Sequence, residues 1–196
     1  KKNKIRQRLW KVRAKKVILA TGSIERTMVF DCNDRPGIML SSAVRKYLNH
    51  YAVKCGNNAV IFTNNDDAYE TALSLHKKGV KIEAIIDIRE GSQGDLVKKC
   101  NDLSLNILWK HTVVSTGGRK KINKVFVMKL SDNNNSVIGK KIKIDCDLLC
   151  VSGGYTPAVH LFTQSGGKLL FDEKKSYFYP GKTSLEQISV GSCAGV

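Results

Sequence analysis

The sequence of 196 residues has no G-x-G-x-x-G loop, the motif with which dinucleotide-binding units usually begin. It also has no apolar run approaching the roughly eighteen residues of a membrane helix, so we predict no membrane contact. The six cysteines form no C-x-x-C pair, and the four histidines stand apart from other metal-ligand residues. From these absences we predict that the chain has no redox dithiol and no metal site. We expect reduced thiols in a cytoplasmic protein.

Acidic residues are scarce: 17 Asp and Glu stand against 33 Lys and Arg, for a net charge of +16. A surplus of this size is typical of nucleic-acid binding. The lysines are nevertheless scattered in pairs at the ends of predicted elements, and no aromatic residues interleave with them. The pattern therefore favours a lysine-rich surface, with or without an anionic partner subunit, and no nucleic-acid groove. A basic, non-catalytic scaffold or binding module remains an alternative.

Apolar periodicity predicts an α/β protein. Its first part contains a hairpin arm, a buried strand, an irregular segment and a serine-capped helix, at 8–14, 15–20, 23–37 and 41–51 respectively. A strand–helix–strand unit follows, at 59–62, 66–79 and 82–88, and its short crossover implies a parallel sheet.

The second half continues with a helix at 94–103 and then mostly strands. Three of these form a meander, whose turns lie at 116–120 and 132–136. The strands are predicted at 107–109, 112–114, 125–128, 142–144, 147–151 and 188–190.

Two buried strands end in turns of small residues, Ala20-Thr21-Gly22 and Ser152-Gly153-Gly154. Ligands of open α/β sheets bind at the carboxyl ends of strands, so these turns are candidate cofactor contacts. An Ala-Thr-Gly turn normally comes late in a first nucleotide-binding domain, yet only 19 residues precede Ala20. We therefore expect a chain that begins inside a domain. The order of its elements is typical of a flavoprotein reductase in which an inserted domain splits the first one.

The strand–helix–strand unit carries Asn64 and Asn65 where phosphate-binding glycines are usual, followed by two carboxylates. A pyrophosphate beside Asp66 and Asp67 would be repelled. We predict a Rossmann-like unit without a nucleotide of its own. If this unit does hold a second nucleotide, then Asn64 and Asn65 would donate hydrogen bonds to it and Asp87 would bind a ribose. No nucleophile–base pair is visible, so we predict no catalytic residue in this chain.

Longer strings of residues make the chain resemble the alpha-subunit family of heterotetrameric sarcosine oxidase, in its central region. The strings lie at 8–10, 18–26, 33–40, 43–49, 62–69, 151–162 and 164–168. They cover nearly the whole chain and are more specific than a general dinucleotide motif.

This resemblance implies an oxidoreductase complex that converts sarcosine, oxygen and water into glycine, formaldehyde and hydrogen peroxide. The beta subunit would hold FAD and oxidise the amine, and FMN would lie near the alpha–beta interface. The alpha subunit would hold NAD of no established redox role, with gamma and delta subunits as further partners. A related opine or amino-acid oxidase is an alternative.

The resemblance implies a Rossmann-like FAD/NAD(P)-binding reductase fold with an inserted domain. We predict the end of the first half of an NAD-holding domain at 1–37, the inserted domain at 38–147 and the return segment at 148–196. Disulfide reductases end this first domain with a carboxylate for the flavin ribityl chain, and Gly191-Ser192 is not followed by one. That departure fits NAD in place of FAD. The residues predicted to contact NAD are Ala20, Thr21, Gly22, Gly153, Gly154, Gly191 and Ser192.

Overall fold

A computed structural model describes residues 6–195. The strands are β1 Val17–Leu19, β2 Ser23–Glu25, β3 Ile38–Leu40, β4 Asn58–Thr63, β5 Lys81–Asp87, β6 Ile107–Trp109, β7 His111–Gly117, β8 Lys124–Leu130, β9 Val137–Asp145, β10 Leu148–Ser152, β11 Tyr155–Pro157, β12 Leu169–Asp172, β13 Tyr177–Pro180 and β14 Gln187–Ser189. The helices are α1 Ser41–His50, α2 Asp67–Lys77, α3 Asp95–Asp102 and α4 His160–Gln164, and a 3₁₀ turn covers Gly191–Ala194.

The chain forms two compact units. The central unit is Glu25–Tyr155, and the flanking unit comprises the described residues up to Ile24 together with those from Thr156 on. No helix within residues 6–195 has the length and apolar content needed to cross a bilayer.

A five-stranded parallel sheet in the order β3-β10-β4-β5-β6 forms the middle of the central unit. Both of its faces are covered, so its inner strands are buried almost throughout, as the continuous apolar runs of β4, β5 and β10 predict. The parallel pairing of β4 with β5 confirms the predicted strand–helix–strand unit.

Alternate side chains of each inner strand point to opposite faces of this sheet. Ile61, Ile85 and Cys150 pack against α1, α2 and α3 in one buried cluster. Phe62, Ile86 and Val151 pack against Val125 and Val127 of β8 in a second cluster. The second cluster lies under the antiparallel sheet β7-β8-β9, the meander predicted from the sequence.

Helix α1 has the predicted extent, but its predicted serine cap is wrong. Ser41 and Ser42 are the first helical residues, and the cap residue Leu40 makes no side-chain cap. Instead the buried Glu25 carboxylate accepts hydrogen bonds from the Ser42 backbone N–H at 2.9 Å and from its hydroxyl at 2.5 Å. A cap from a distant residue cannot be read from local sequence, because only the fold brings Glu25 to this helix end.

The flanking unit differs most from the sequence-based predictions. Residues 8–14 were predicted as a hairpin arm but form no strand; Leu9 and Trp10 are 86% and 72% exposed. Strand β1 exists, but of its residues only Leu19 is buried. It pairs only with β14 among the described residues, and a two-stranded sheet has too little area to cover its own faces.

Five short strands were missed, and one of them, β11, lies in the turn predicted after the strand at 147–151. The first two, β2 and β3, lie where we predicted an irregular or unassigned segment, and the hairpin of β12 and β13 lies in a part predicted to be loop-rich. Three or four residues carry too little periodicity to identify a strand. Their pairing partners, such as β10 for β3, come from far along the chain.

The buried thiols predict a loss of stability in alkali. All six cysteines are free, and burial raises the pKa of Cys100 to about 11. Burial, with the nearby Asp147 and Asp145 carboxylates, raises the pKa of Cys146 to about 12. An unfolded chain ionises its thiols at about pH 8.5. Because the folded state keeps these two thiols protonated, their contribution to stability is complete below about pH 8.5. It is lost as the pH rises from there through the pKa values of the folded state.

We expect each of these two thiols to lower the free energy of unfolding by about 1 to 2 kcal/mol between pH 8 and pH 10. Urea unfolding at both pH values measures the loss. The variants Cys100→Ala and Cys146→Ala should each remove one thiol's share of the pH dependence. An unchanged pH dependence in both variants would contradict the assignment.

Candidate functional site

The carboxyl ends of β10, β4 and β5 lie side by side in the central unit, where open parallel sheets bind nucleotides. The residues that follow these strands are Gly153 and Gly154 after β10, Asn64 and Asn65 after β4, and Asp87 at the end of β5. These five predicted site residues therefore lie in the same region of this unit.

Asn65 closes the loop between β4 and α2. Its side-chain amide donates to the Ser152 carbonyl at 3.2 Å and to the Ser152 hydroxyl at 3.0 Å. Its side-chain oxygen accepts from the backbone N–H of Asp67, the first residue of α2, at 3.1 Å. The amide also donates to Asn64 Oδ1 at 3.0 Å. The side-chain amide and oxygen of Asn65 thus both form hydrogen bonds within the protein.

Asp87 is completely buried and bound on both oxygens. Its Oδ2 accepts from the Tyr69 hydroxyl at 2.8 Å and from Arg89 Nη2 at 2.7 Å, and its Oδ1 accepts from the backbone N–H and the Nε of Arg89, both at 3.0 Å. Burial and the Asp87 carboxylate raise the pKa of Tyr69 well above its usual range. Arg89 also pairs with Asp66 at 2.7 Å. Burial lowers its pKa, but hydrogen bonds to both carboxylates outweigh that effect and raise it overall.

Asp67 is held in a similar way. Arg45 donates to both of its oxygens at 3.1 and 3.0 Å, and the Tyr155 hydroxyl donates to it at 2.5 Å. Burial and this hydrogen bond raise the pKa of Tyr155. The two carboxylates at the start of α2 are therefore neutralised by arginines of the protein itself, at the position where a pyrophosphate would bind.

The glycines after β10 are packed against backbone. The Gly153 N–H donates to the Arg26 carbonyl at 2.7 Å, and the Arg26 N–H donates to the Gly154 carbonyl at 2.8 Å. A Cβ atom at Gly153 would lie 2.7 Å from the Thr27 carbonyl oxygen. This close approach gives a packing reason for the glycine. Contact of Gly153 and Gly154 with NAD remains a prediction.

The flanking unit brings the other predicted residues together. Strands β1 and β14 are parallel, so Ala20-Thr21-Gly22 and Gly191-Ser192 leave the same end of this pair. Thr21 Oγ1 donates to the Ala158 carbonyl at 2.7 Å, and the Ala158 N–H donates to the Gly22 carbonyl at 2.9 Å.

Both turns have space beside their glycines. Gly22 and Gly191 have positive φ angles of 73° and 68°. A Cβ at Gly191 would meet no atom within 4 Å, and one at Gly22 would meet only Ser192 Oγ, at 3.9 Å. Ala20, Thr21, Gly191 and Ser192 are exposed. The turns after β1 and β14 therefore have open space beside their glycines, whereas the space beside Gly153 in the turn after β10 is filled by backbone atoms.

Cys193 lies directly beneath these turns and is 1% exposed. Its Sγ donates to the Leu19 carbonyl at 3.0 Å, which ties the second turn to the end of β1. Burial raises its pKa, but hydrogen bonds with Thr21, Val190 and Gly22 outweigh that effect and lower it overall. Cys193 supports the shape of the turns.

The sequence analysis assigned no role to Arg45 and Arg89 of the central unit. Arg45 and Arg89 bind the carboxylates of the β4–α2 loop, and the sequence signal was only that Arg89 follows Asp87 closely at a strand end. Within residues 6–195 no group of three or more His, Cys, Asp or Glu is arranged to hold a metal ion.

The architecture defines the class of protein. The chain has the Rossmann-like fold of FAD/NAD(P)-binding oxidoreductases, as predicted from the sequence. Thioredoxin reductase from T. acidophilum is similar with a TM-score of 0.69 and 17% identity, over 92% of this chain and 58% of that one. A FAD-dependent pyridine nucleotide-disulphide oxidoreductase from Desulfovibrio vulgaris is similar with a TM-score of 0.64 and 18% identity, over 93% of this chain and 47% of that one. L-proline dehydrogenase from P. horikoshii is similar with a TM-score of 0.62 and 24% identity, over 92% of this chain and 30% of that one.

The sequence narrows this class further. The chain is 36% identical to sarcosine oxidase subunit alpha of Corynebacterium sp. (strain P-1) over 193 residues, which is 97% of this chain. It is 35% identical to the same subunit of Rhizobium meliloti (strain 1021) over 189 residues. The chain spans about one fifth of the length of these relatives. No family model matches it. The chain is homologous to a segment of the sarcosine oxidase alpha subunit, which confirms the resemblance inferred from its motifs.

Proposed function

We propose that this chain forms part of the NAD-holding region of a sarcosine oxidase alpha subunit. In this proposal the turns Ala20–Gly22 and Gly191–Ser192 contact the dinucleotide, and the strand–helix–strand unit β4-α2-β5 holds no second nucleotide of its own. NAD would then contribute to structure, while amine oxidation with FAD and FMN takes place elsewhere in the complex. The chain alone would be inactive.

The observation that carries this proposal is the contrast between the two sets of glycines. In the flanking unit, Gly22 and Gly191 leave open space in which a phosphate could approach the backbone. In the central unit, the equivalent space beside Gly153 is occupied by Thr27 and Arg26. The two arginines nearest the start of α2 are already paired with carboxylates, Arg45 with Asp67 and Arg89 with Asp66, so neither is free to bind a phosphate. A dinucleotide therefore fits the first set better than the second.

Exposed apolar side chains add support. Val17 and Ile18 of β1 are 44% and 69% exposed, and Ile188 of β14 is 58% exposed. In a complete nucleotide-binding sheet such strands are covered on both faces. In this proposal the exposed sheet is covered by further residues of the alpha subunit.

A charge placed in the proposed site tests the assignment. In the intact protein, Ser192→Glu should lower the amount of NAD that is retained through purification at least about tenfold, because a carboxylate would face the pyrophosphate. Released NAD is measured by chromatography. Ser136→Glu, at an exposed hairpin tip, is the matched control and should retain wild-type NAD.

The proposal also predicts which changes have no effect. Asn64→Asp in the central unit should leave the NAD content unchanged. Calorimetry on the 196-residue chain alone should detect no micromolar NAD binding. Full NAD retention in Ser192→Glu, or micromolar binding by this chain alone, would contradict the proposal. Activity assays of the intact complex with sarcosine, proline and opines distinguish the alternative substrates.

A further inference from the structure

Strand β9 has one free edge. Among residues 6–195 it pairs only with β8, and eight of its nine residues, all but Ile144, are exposed. At the opposite edge of the same sheet, Asp31 pairs with β7: the Asp31 N–H donates to the Val114 carbonyl at 3.1 Å, and the Thr116 N–H donates to the Asp31 carbonyl at 3.2 Å. The edge of β9 therefore presents unpaired backbone donors and acceptors.

Strand β9 is long for an exposed edge strand, and three of its apolar side chains are partly exposed to solvent. Val137, Ile138 and Ile142 are 40%, 45% and 41% exposed. Protein sheets usually shorten or cover such an edge, because it accepts another strand. An exposed edge of this length is the kind of surface to which an extended segment of a partner adds as a further strand.

The sheet that contains this edge is positively charged, which favours a partner of negative charge. Residues 111–145 contain eight Lys or Arg and two carboxylates. Both carboxylates are paired, Asp145 with Lys143 at 3.0 Å and Asp132 with Lys110 at 3.2 Å. Lys140 and Lys141 are exposed on β9 itself. Two copies of β9 side by side would repel each other through these lysines, whereas an acidic strand would be attracted.

We propose that the free edge of β9 docks an acidic, extended segment of a partner protein. The segment pairs with the β9 backbone, its apolar side chains contact Val137, Ile138 and Ile142, and its carboxylates lie near Lys140 and Lys141. This inference does not depend on the proposed NAD site.

A protein segment suits this surface better than a nucleic acid. Phosphates and bases do not pair with a strand backbone, and they gain nothing from exposed aliphatic side chains. The sheet offers no row of aromatic rings for bases to stack on, because its aromatic side chain Phe126 lies under the Lys141 ammonium at 5.4 Å.

The test measures binding of a labelled peptide to the intact protein by fluorescence anisotropy. The probe is a capped peptide of about ten residues with alternating Glu and Val. We expect it to bind and to weaken with added salt. The same peptide with Lys in place of Glu should not bind. A version with alternate amides N-methylated should bind at least about tenfold more weakly, because it cannot pair with the edge.

Matched charge reversals locate the surface. Lys140→Glu with Lys141→Glu should weaken binding of the Glu-Val peptide at least about tenfold, since like charges would then face each other. Lys98→Glu with Lys99→Glu on α3 makes the same change in net charge and should weaken it less than about threefold.

Several results would overturn the proposal. Equal weakening by both pairs of substitutions would show a general charge effect. Tight binding of a random DNA duplex that is lost in Lys140→Glu with Lys141→Glu would identify a nucleic-acid surface. Absence of peptide binding, with the β9 amides protected from hydrogen exchange, would show that the intact protein already covers this edge.

Discussion

Replacing Asp87 with alanine should destabilise the central unit by about 3 kcal/mol. The substitution leaves the Tyr69 hydroxyl, in a residue that is completely buried, without its acceptor. It also removes the carboxylate that Arg89 binds through Nε and Nη2. Breaking a buried pair by removing one partner typically costs about 3 to 5 kcal/mol. We use the lower end because Arg89 is partly exposed and keeps Asp66.

Trp109 provides the measurement. Its ring lies 6.3 Å from that of Tyr69, and in a Trp10→Phe background it is the one remaining tryptophan of the 196 residues. Urea unfolding followed by its fluorescence gives the free energy of unfolding. Tyr69→Phe, which removes one hydrogen bond, should cost about 1.5 kcal/mol. The control Asp102→Ala, at an exposed helix end, should change stability by less than about 0.5 kcal/mol.

A small effect of Asp87→Ala would contradict the structural role of this carboxylate. It would then favour the alternative in which Asp87 serves a ribose. The same variant therefore separates the two interpretations, since a ribose ligand predicts weaker nucleotide binding with little loss of stability.

Alanine at Gly153 should destabilise the central unit by about 2 to 3 kcal/mol. The new Cβ would lie 2.7 Å from the Thr27 carbonyl oxygen and 3.1 Å from the Arg26 carbonyl oxygen. Both are backbone atoms, which a side-chain rotation cannot move. Overpacking of this kind typically costs about 1 to 3 kcal/mol. The upper part of that range applies because the N–H of Gly153 is also bound to Arg26.

Gly91→Ala is the matched control, because a Cβ there would meet nothing within 4 Å. It should change the free energy of unfolding by less than about 0.5 kcal/mol. Both variants are measured by the same fluorescence-detected unfolding. Equal stability of Gly153→Ala and Gly91→Ala would show that the tight contact with Thr27 is not a constraint, and would restore cofactor contact as the reason for glycine.

The sequence was sufficient for the core of the central unit. The apolar runs of β4, β5 and β10 and the periodicity of α2 predicted buried strands and a crossover helix, and the structure has them. These patterns are local, because a strand buried on both faces must be apolar along its whole length. The alternating pattern at 8–14 was misleading, because alternation predicts a strand only where a neighbour supplies hydrogen bonds.

By its residues alone, this chain determined its fold class, its relation to the sarcosine oxidase alpha subunit and the position of its glycine-containing turns. Only the tertiary structure decided what each turn faces. Gly153 meets a backbone carbonyl, whereas Gly191 meets open space, although both follow a strand and read alike in the sequence. The physical reason is that space beside a glycine is set by segments distant in the chain, such as Arg26–Thr27 beside Gly153.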